Sequence, residues 1–435
     1  MNQESPASQE ESPGTVGTER TISARGASGV GVASVIAAAS GLLITFVVAR
    51  TLDPAETAQF LIFWSLLFGL FGILSGIQSE TTRAVRSATM SDTRAAAGAA
   101  RILPAGMLVG GALSVVLLAT SFFWADGVLP AGQPWVLIAI GVAGVAYSGH
   151  VTLAGSSAGR QDWRLYSWLM ALESVLRLAA VVAVAFLAAS LIGLELACAL
   201  GAVVWTGFLL TSRSARRAIR ARADVPFRAL VRQFSYALVS AAATAALVVG
   251  FPLLFSLTST AATVASSAGL LLAVQLTRAP IMIPLQAFQG VAIAAFVAQR
   301  ERGLRALVRP VGIIMLIALG GALLAWLIGP WLMLIFGEAY VVDGPVIGLL
   351  TLGAGVMATL TLTGAAALAG GYHRVYTLGW VTATIASVAL LMLPIAADAR
   401  VVLSLSIGPI AGILVHCLGI SSHRGSRAEP GEIQL

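Results

Sequence analysis

Arg213-Ser214-Ala215-Arg216-Arg217-Ala218-Ile219-Arg220-Ala221-Arg222-Ala223-Asp224-Val225-Pro226-Phe227-Arg228-Ala229-Leu230-Val231-Arg232-Gln233 is the longest polar stretch inside an otherwise apolar chain, with seven arginines. Before it lie six apolar runs, at about 28–49, 59–79, 103–125, 135–157, 166–188 and 192–212. After it lie six more, at about 235–257, 263–297, 310–334, 345–369, 375–396 and 401–420. A helix needs about 20 mostly apolar residues to cross roughly 30 Å of hydrocarbon. The pattern therefore predicts an all-α polytopic membrane protein with about 12 transmembrane helices in two six-helix lobes. Residues 25–212 form the first lobe, 213–234 an Arg-rich cytoplasmic linker and 235–420 the second lobe, with tails at 1–24 and 421–435. The eighth run is too long for one straight span and carries Pro280 and Pro284, so a kinked helix running past the membrane surface is expected.

Composition agrees. Of 435 residues, 58% are hydrophobic and 10% charged, where a soluble domain has roughly 45–50% and about 25%. All 26 basic residues are arginine, and against 19 acids they give a net charge of +7. In a soluble protein that excess suggests nucleic acid; here its distribution decides. With the N-terminus inside, 22 arginines fall on cytoplasmic segments, Arg50 and Arg400 fall outside, and Arg177 and Arg278 fall within spans. This is the positive-inside pattern with both termini cytoplasmic, and the basic stretches are too short and scattered for nucleic acid. Residues 1–24 hold four Glu and lack an apolar run of their own, so they read as a disordered tail and not a cleaved signal peptide. Cys198 and Cys417 both lie in apolar runs and offer neither a disulfide framework nor a metal cluster.

The two halves share internal similarity. Gly-Gly-Ala-Leu occurs at Gly110–Leu113 and at Gly320–Leu323, and Arg164-Leu165-Tyr166 is matched by Arg374-Val375-Tyr376, both pairs 210 residues apart. Two matches at one offset in corresponding spans favour duplication. Six spans per repeat give both halves the same orientation, as in carriers that rock about a midplane site. Outer connections are too short for the acidic or His-bearing site of a membrane glycosyltransferase, and no phosphate-binding loop, HExxH, CxxC or nucleophile elbow is present. A transporter without cofactor or metal is expected, and not an enzyme.

Ala49-Arg50-Thr51-Leu52-Asp53-Pro54-Ala55-Glu56 resembles the A-R-x-L-x-P-x-E turn of the Wzx-like polysaccharide-exporter flippases, of the multidrug/oligosaccharidyl-lipid/polysaccharide (MOP) superfamily. Phe60–Leu67 with Glu80-Thr81-Thr82-Arg83, Ala158–Tyr166, Leu276–Pro280, and Gly329-Pro330-Trp331 with Leu334–Tyr340 are similar to further stretches of that family, in span order. The rival, a major-facilitator carrier, usually shows G-x-x-x-D-R-x-G-R-R between spans two and three, whereas this chain reads Thr81–Ala88 there without the Asp-Arg pair. The lipid II flippase has two further C-terminal helices that this chain lacks. The resemblance implies a MATE/MOP-like fold in the bacterial cytoplasmic membrane, a lipid-linked (polyprenyl-pyrophosphate) sugar as substrate, and pathway glycosyltransferases and a polymerase as partners. The alternatives are a small-molecule secondary transporter and a non-transporting scaffold. A large, Arg-lined, laterally open cavity favours flipping; a small apolar or acidic one favours a drug or cation carrier.

A pyrophosphate crossing the bilayer needs cationic groups in a cavity between the lobes, and the guanidinium fork matches phosphate oxygens. Arg278, just before Pro280 and with no acid within a turn, is either a substrate ligand, or it snorkels or binds a carbonyl of another helix. Arg177 lies one turn after Glu173, so the two form a local ion pair, or Glu173 is a coupling group whose partner Arg177 changes during rocking. Glu80 and Arg83 form an inner gate or a helix cap. Arg50 holds an outer gate with Asp53 or Glu56, or snorkels. Arg25 meets the incoming headgroup or adds to the positive-inside count. His150 and His416 read as hydrogen-bonded packing residues and Glu195 as interfacial, while the 213–232 arginines read as topology and anionic-lipid contacts.

Overall fold

The computed structural model describes residues 24–90, 98–129, 134–298 and 304–425; the expected tails lie almost wholly outside them. The described helices, in chain order, are α1 (Ala24–Thr51), α2 (Pro54–Met90), α3 (Ile102–Thr120), α4 (Ala125–Val128), α5 (Pro134–Gly159), α6 (Trp163–Leu187), α7 (Leu191–Leu200), α8 (Val204–Thr211) and α9 (Arg213–Ile219). There follow α10 (Phe227–Val248), α11 (Phe251–Leu257), α12 (Ala261–Ala265), α13 (Ala268–Ala298), α14 (Arg305–Met333), α15 (Gly344–Ala369), α16 (His373–Leu391) and α17 (Ala397–Gly425). Among the described residues, eleven helical segments are long and apolar enough to span a membrane, and the shorter apolar stretch Ala268–Met282 of α13 stands where the eighth span is expected. The chain is a multi-pass membrane protein.

Two spans are built from paired helices. The sixth joins α7 to α8 through a 3-10 turn at Gly201–Val203. The seventh breaks after α10, where Val249 and Gly250 precede Pro252 in the first turn of α11. Proline there lacks an amide hydrogen and clashes with a preceding turn, so the helix restarts instead of continuing. Conversely, α13 is one helix through Pro280 and Pro284.

Duplication is visible in lengths and packing. α5 and α15 each have 26 residues, and their first residues, 134 and 344, stand 210 apart, the offset of the sequence matches. The same offset separates the starts of α6 and α16, at 163 and 373. In the first half α1 packs on α6, and α2 and α3 pack on α5; in the second, α10 packs on α16, and α13 and α14 pack on α15. Between halves, α1 meets α13 and α10 meets α2, which is the same pairing with the halves exchanged. α2 and α15 are the inner helices, 72% and 78% buried over their apolar windows, whereas α14 is 11% buried and faces lipid.

The α2–α10 seam rests on small residues. A Cβ on Gly76 would sit 2.6 Å from the Ala237 carbonyl, and one on Gly72 would sit 3.0 Å from Ala245 Cβ. This is the close approach that a G-x-x-x-G spacing permits where lipid supplies no hydrophobic drive. About two turns before Gly72 on α2, Ser65 donates to the Val249 carbonyl at 2.9 Å and accepts from the Leu253 amide at 3.3 Å, which fastens α2 to the break in the seventh span.

The linker corrects the all-helical expectation in one detail. Ala99–Arg101 (β1) pairs antiparallel with Arg222–Pro226 (β2), so the segment holds a helix, α9, and a strand. Ala223 is buried while Arg222 is exposed and its guanidinium donates to the Ala99 carbonyl at 3.3 Å; Pro226 ends the pairing.

Candidate functional site

A cavity of about 320 Å³ lies between the halves, lined by Trp64 and Phe68 of α2, Val248 and Pro252 at the break of the seventh span, and Arg278 and Met282 of α13. Arg278 is the cationic residue of the lining, and no carboxylate lines it. Its Nη1 donates to the carbonyls of Leu247 at 3.0 Å and Val248 at 3.4 Å. These belong to the last turn of α10, whose carbonyls are left unpaired by the break and whose dipole end is negative, a natural seat for a cation. The guanidinium also lies 5.3 Å from the Phe251 ring centroid. Nη2 is buried without a hydrogen-bond partner among the described residues. The carbonyl reading is thus met by Nη1, which holds carbonyls of another helix, while Nη2 stays buried and unpaired among the described residues.

Arg177 does not line this cavity. It is 6% exposed, closed in an ion pair with Glu173 one turn earlier, and its guanidinium carbon lies 4.5 Å over the Phe68 ring. Glu173, 5% exposed, also accepts from Ser174 at 3.3 Å. The break in the sixth span makes room for the pair, since a Cβ on Gly201 would sit 2.9 Å from both Arg177 Nε and Glu173 Oε1. The expected cavity role of Arg177 therefore gives way to a sealed pair behind Phe68.

Phe68 belongs to an aromatic ladder. Trp64 stacks on Phe68 at 4.2 Å, Phe71 packs edgewise on Phe68 at 5.5 Å, Tyr147 stacks on Phe71 at 3.8 Å and His150 on Tyr147 at 4.9 Å. His150 packs as expected, but neither ring nitrogen is hydrogen-bonded among the described residues. His416 is hydrogen-bonded, between Thr363 at 2.9 Å and the Tyr376 carbonyl at 3.2 Å. Glu195 is 1% exposed, packed inside the protein on α7.

The remaining candidates sit at the two ends. Arg83 pairs with Glu80 at 2.6 Å, but it also binds Asp224 of β2 at 2.8 Å and Gln233 of α10 at 3.2 Å. It ties α2 to the linker and is more than a cap. Partial burial works to raise the Asp224 carboxyl, but its hydrogen bonds from Arg83 and Ser87 and the Arg83 charge hold it below the usual carboxylate range. Arg50 is exposed, and Asp53 accepts from the Glu56 amide at 2.8 Å as the N-cap of α2 instead of holding Arg50. The arginine-poor end is joined by Tyr340, which follows α14: its hydroxyl meets Thr57 at 2.9 Å and donates to the Leu52 carbonyl at 3.3 Å. Arg25 opens α1, and its side chain lies outside the described residues.

A comparison with known protein families finds no match. Two Mycobacterium tuberculosis proteins do match over nearly their whole length. Uncharacterized protein Rv1510 is 38% identical over 396 residues, 90% of each chain. Uncharacterized protein Rv3630 is 36% identical over 396 residues, 90% of this chain and 91% of its own. The chain belongs to their family. Among solved structures, an inward-facing MATE family multidrug resistance transporter of the MOP superfamily matches with TM-score 0.67 and 16% identity, over 89% of this chain and 96% of the transporter. The outward-facing form gives 0.65 and 14%, over 93% and 97%. A MOP superfamily transporter from Pyrococcus furiosus, whose reversed binding-pocket polarity suggests a different function, gives 0.65 and 17%, over 92% and 96%. The chain thus has the MATE fold.

Proposed function

We propose that the chain is an alternating-access transporter of anionic amphipathic substrates in the bacterial cytoplasmic membrane, its arginine-rich end and both termini facing the cytoplasm. Its substrate class is the lipid-linked oligosaccharide or polysaccharide precursor. The observation that carries this reading is Arg278: a cation between the two halves, with no carboxylate beside it and one nitrogen unpaired. Intramembrane charge is costly and marks substrate paths, and a pyrophosphate supplies the missing acceptors. Trp64 and Phe68 offer apolar faces to the sugar or the proximal isoprene units. Tyr340 ties the outer end to α2, and Arg83 with Asp224 ties α2 to the linker at the inner end; alternating access requires that each be released in turn.

A second reading is favoured by the size of the cavity. About 320 Å³ lies at the low end of pockets for drug-sized ligands, roughly 300–1,000 Å³, and its lining is mostly apolar. Carriage of a small organic anion fits it. Proteoliposomes holding the full chain separate the two. Flipping of a fluorescent polyprenyl-pyrophosphate sugar supports the first reading, whereas uptake of small aromatic anions without flipping supports the second.

A further inference from the structure

On the far side of Arg177 from the central cavity, the break in the sixth span opens a second hollow. It holds about 560 Å³ between α6 and α8 and is lined by Leu172, Leu176 and Ala180 on one wall and Val204, Gly207 and Phe208 on the other. The α6 residues stand four apart, so they form one stripe along the helix. Gly207 has open space where a Cβ would be. Neighbouring Leu200 and Leu210 are exposed, as surfaces that meet lipid chains are.

The hollow ends at Thr211, two residues before Arg213. There α9 turns under the bundle: Ala215 and Ala218 are buried, and Ser156 of α5 donates to the Ala218 carbonyl at 2.6 Å. Arg216 is occupied, donating to the Leu209 and Leu210 carbonyls at 2.7 and 2.9 Å, which fixes the turn. Arg213, Arg217 and Arg220 are exposed. Asp162 binds Ser214 and caps α6 through the Leu165 amide at 3.1 Å, which brings the turn bearing exposed Arg160 and Arg164 beside α9.

We infer that the α6–α8 hollow and the arginines of α9 form one seat for an anionic phospholipid of the surrounding membrane, an acyl chain in the hollow and the phosphate on Arg213 and Arg217. Two features of different chemistry meet there: an apolar slot opening to lipid, and at its mouth a fixed helix turn whose free charges are all positive. An uncharged or zwitterionic lipid satisfies the first and not the second. The seated chain lies over Gly201 and so covers the back of the Glu173–Arg177 pair, which keeps water from it. This seat is separate from the Arg278 cavity and does not depend on the transported substrate.

The test is native mass spectrometry of the full chain released from nanodiscs of equimolar phosphatidylglycerol and phosphatidylcholine. The wild type retains phosphatidylglycerol preferentially. Each phosphate-facing arginine removed weakens retention about fivefold, so R213Q/R217Q loses about 25-fold, and Gly207→Leu, which fills open space, loses retention with either headgroup. Equal retention of the two lipids by the wild type, or unchanged retention in both variants, overturns the seat. Displacement of phosphatidylglycerol by an equimolar polyprenyl phosphate overturns the phospholipid assignment in favour of the carrier lipid. Circular dichroism and gel filtration confirm that each variant is folded, and Gly207→Ala serves as the milder filling if Gly207→Leu is not.

Discussion

The Arg177 guanidinium carbon lies 4.5 Å over the Phe68 ring, and the same Phe68 walls the cavity that Arg278 enters from the other half. One aromatic side chain on α2 thus separates a charge paired with a carboxylate from a charge held only by backbone carbonyls. A phenyl ring attracts a desolvated cation through its face, by about 2 kcal/mol or more. Phe68→Leu keeps apolar contact but removes that face, and the expected loss is about 1–2 kcal/mol in denaturant unfolding in detergent. Phe68→Ala also leaves a void and should cost about 3–5 kcal/mol.

The Glu173–Arg177 pair yields a double-mutant cycle. Removing one partner of a buried pair leaves an uncompensated charge, at about 3–5 kcal/mol, whereas replacing both by apolar or neutral groups is often nearly neutral. Glu173→Gln and Arg177→Met are each expected to destabilise strongly and the double variant much less than their sum. If the double variant also transports at the wild-type rate, the pair is architectural; if it is stable and inactive, the pair takes part in the cycle.

Gly76 and Gly69 make a matched comparison on one helix. A Cβ at Gly76 meets the Ala237 backbone at 2.6 Å, whereas a Cβ at Gly69 meets nothing within 4 Å. Gly76→Ala should cost about 1–3 kcal/mol by forcing α2 from α10, and Gly69→Ala should be neutral or slightly stabilising. Thermal unfolding of the two variants side by side checks this.

Asp224 sets a pH dependence. Its folded-state carboxyl sits below the usual range because of Arg83 and Ser87, so its contribution is present above the unfolded value of about 3.9 and is lost as pH falls through the lower folded value. Stability is expected to be flat from neutral pH down to about 5 in this respect, with the Arg83 contribution lost below about 4. In Asp224→Asn that acid-side loss should shrink, measured as unfolding midpoint against pH.

Much of this was legible in the residues. Run lengths gave the spans in order, and the 210-residue offset of Arg164–Tyr166 and Arg374–Tyr376 matches the helix starts of α6 and α16. Depth singled out Arg177 and Arg278, because charge in an apolar run is rare whatever its neighbours. What sits opposite each was not legible. Phe68 and Trp64 are four apart on α2, and Gly72 and Gly76 repeat that spacing, but a span that is apolar on every side does not say which face meets a partner. Nothing local singles out Asp224, since its partner Arg83 lies 141 positions away. The short β1–β2 pair escaped because three and five residues make too little pattern.

The central claim is that Arg278 receives the anionic group of the substrate. It is tested most directly by calorimetric titration of the full chain in nanodiscs with a polyprenyl pyrophosphate, comparing wild type, Arg278→Lys and Arg278→Gln. A hydrogen bond to a charged group is worth about 1.5–3 kcal/mol, so Arg278→Gln should bind roughly 10- to 150-fold more weakly, with Arg278→Lys between because it keeps charge without the fork. Equal affinity in all three would contradict the claim and leave Arg278 as no more than the cap of α10.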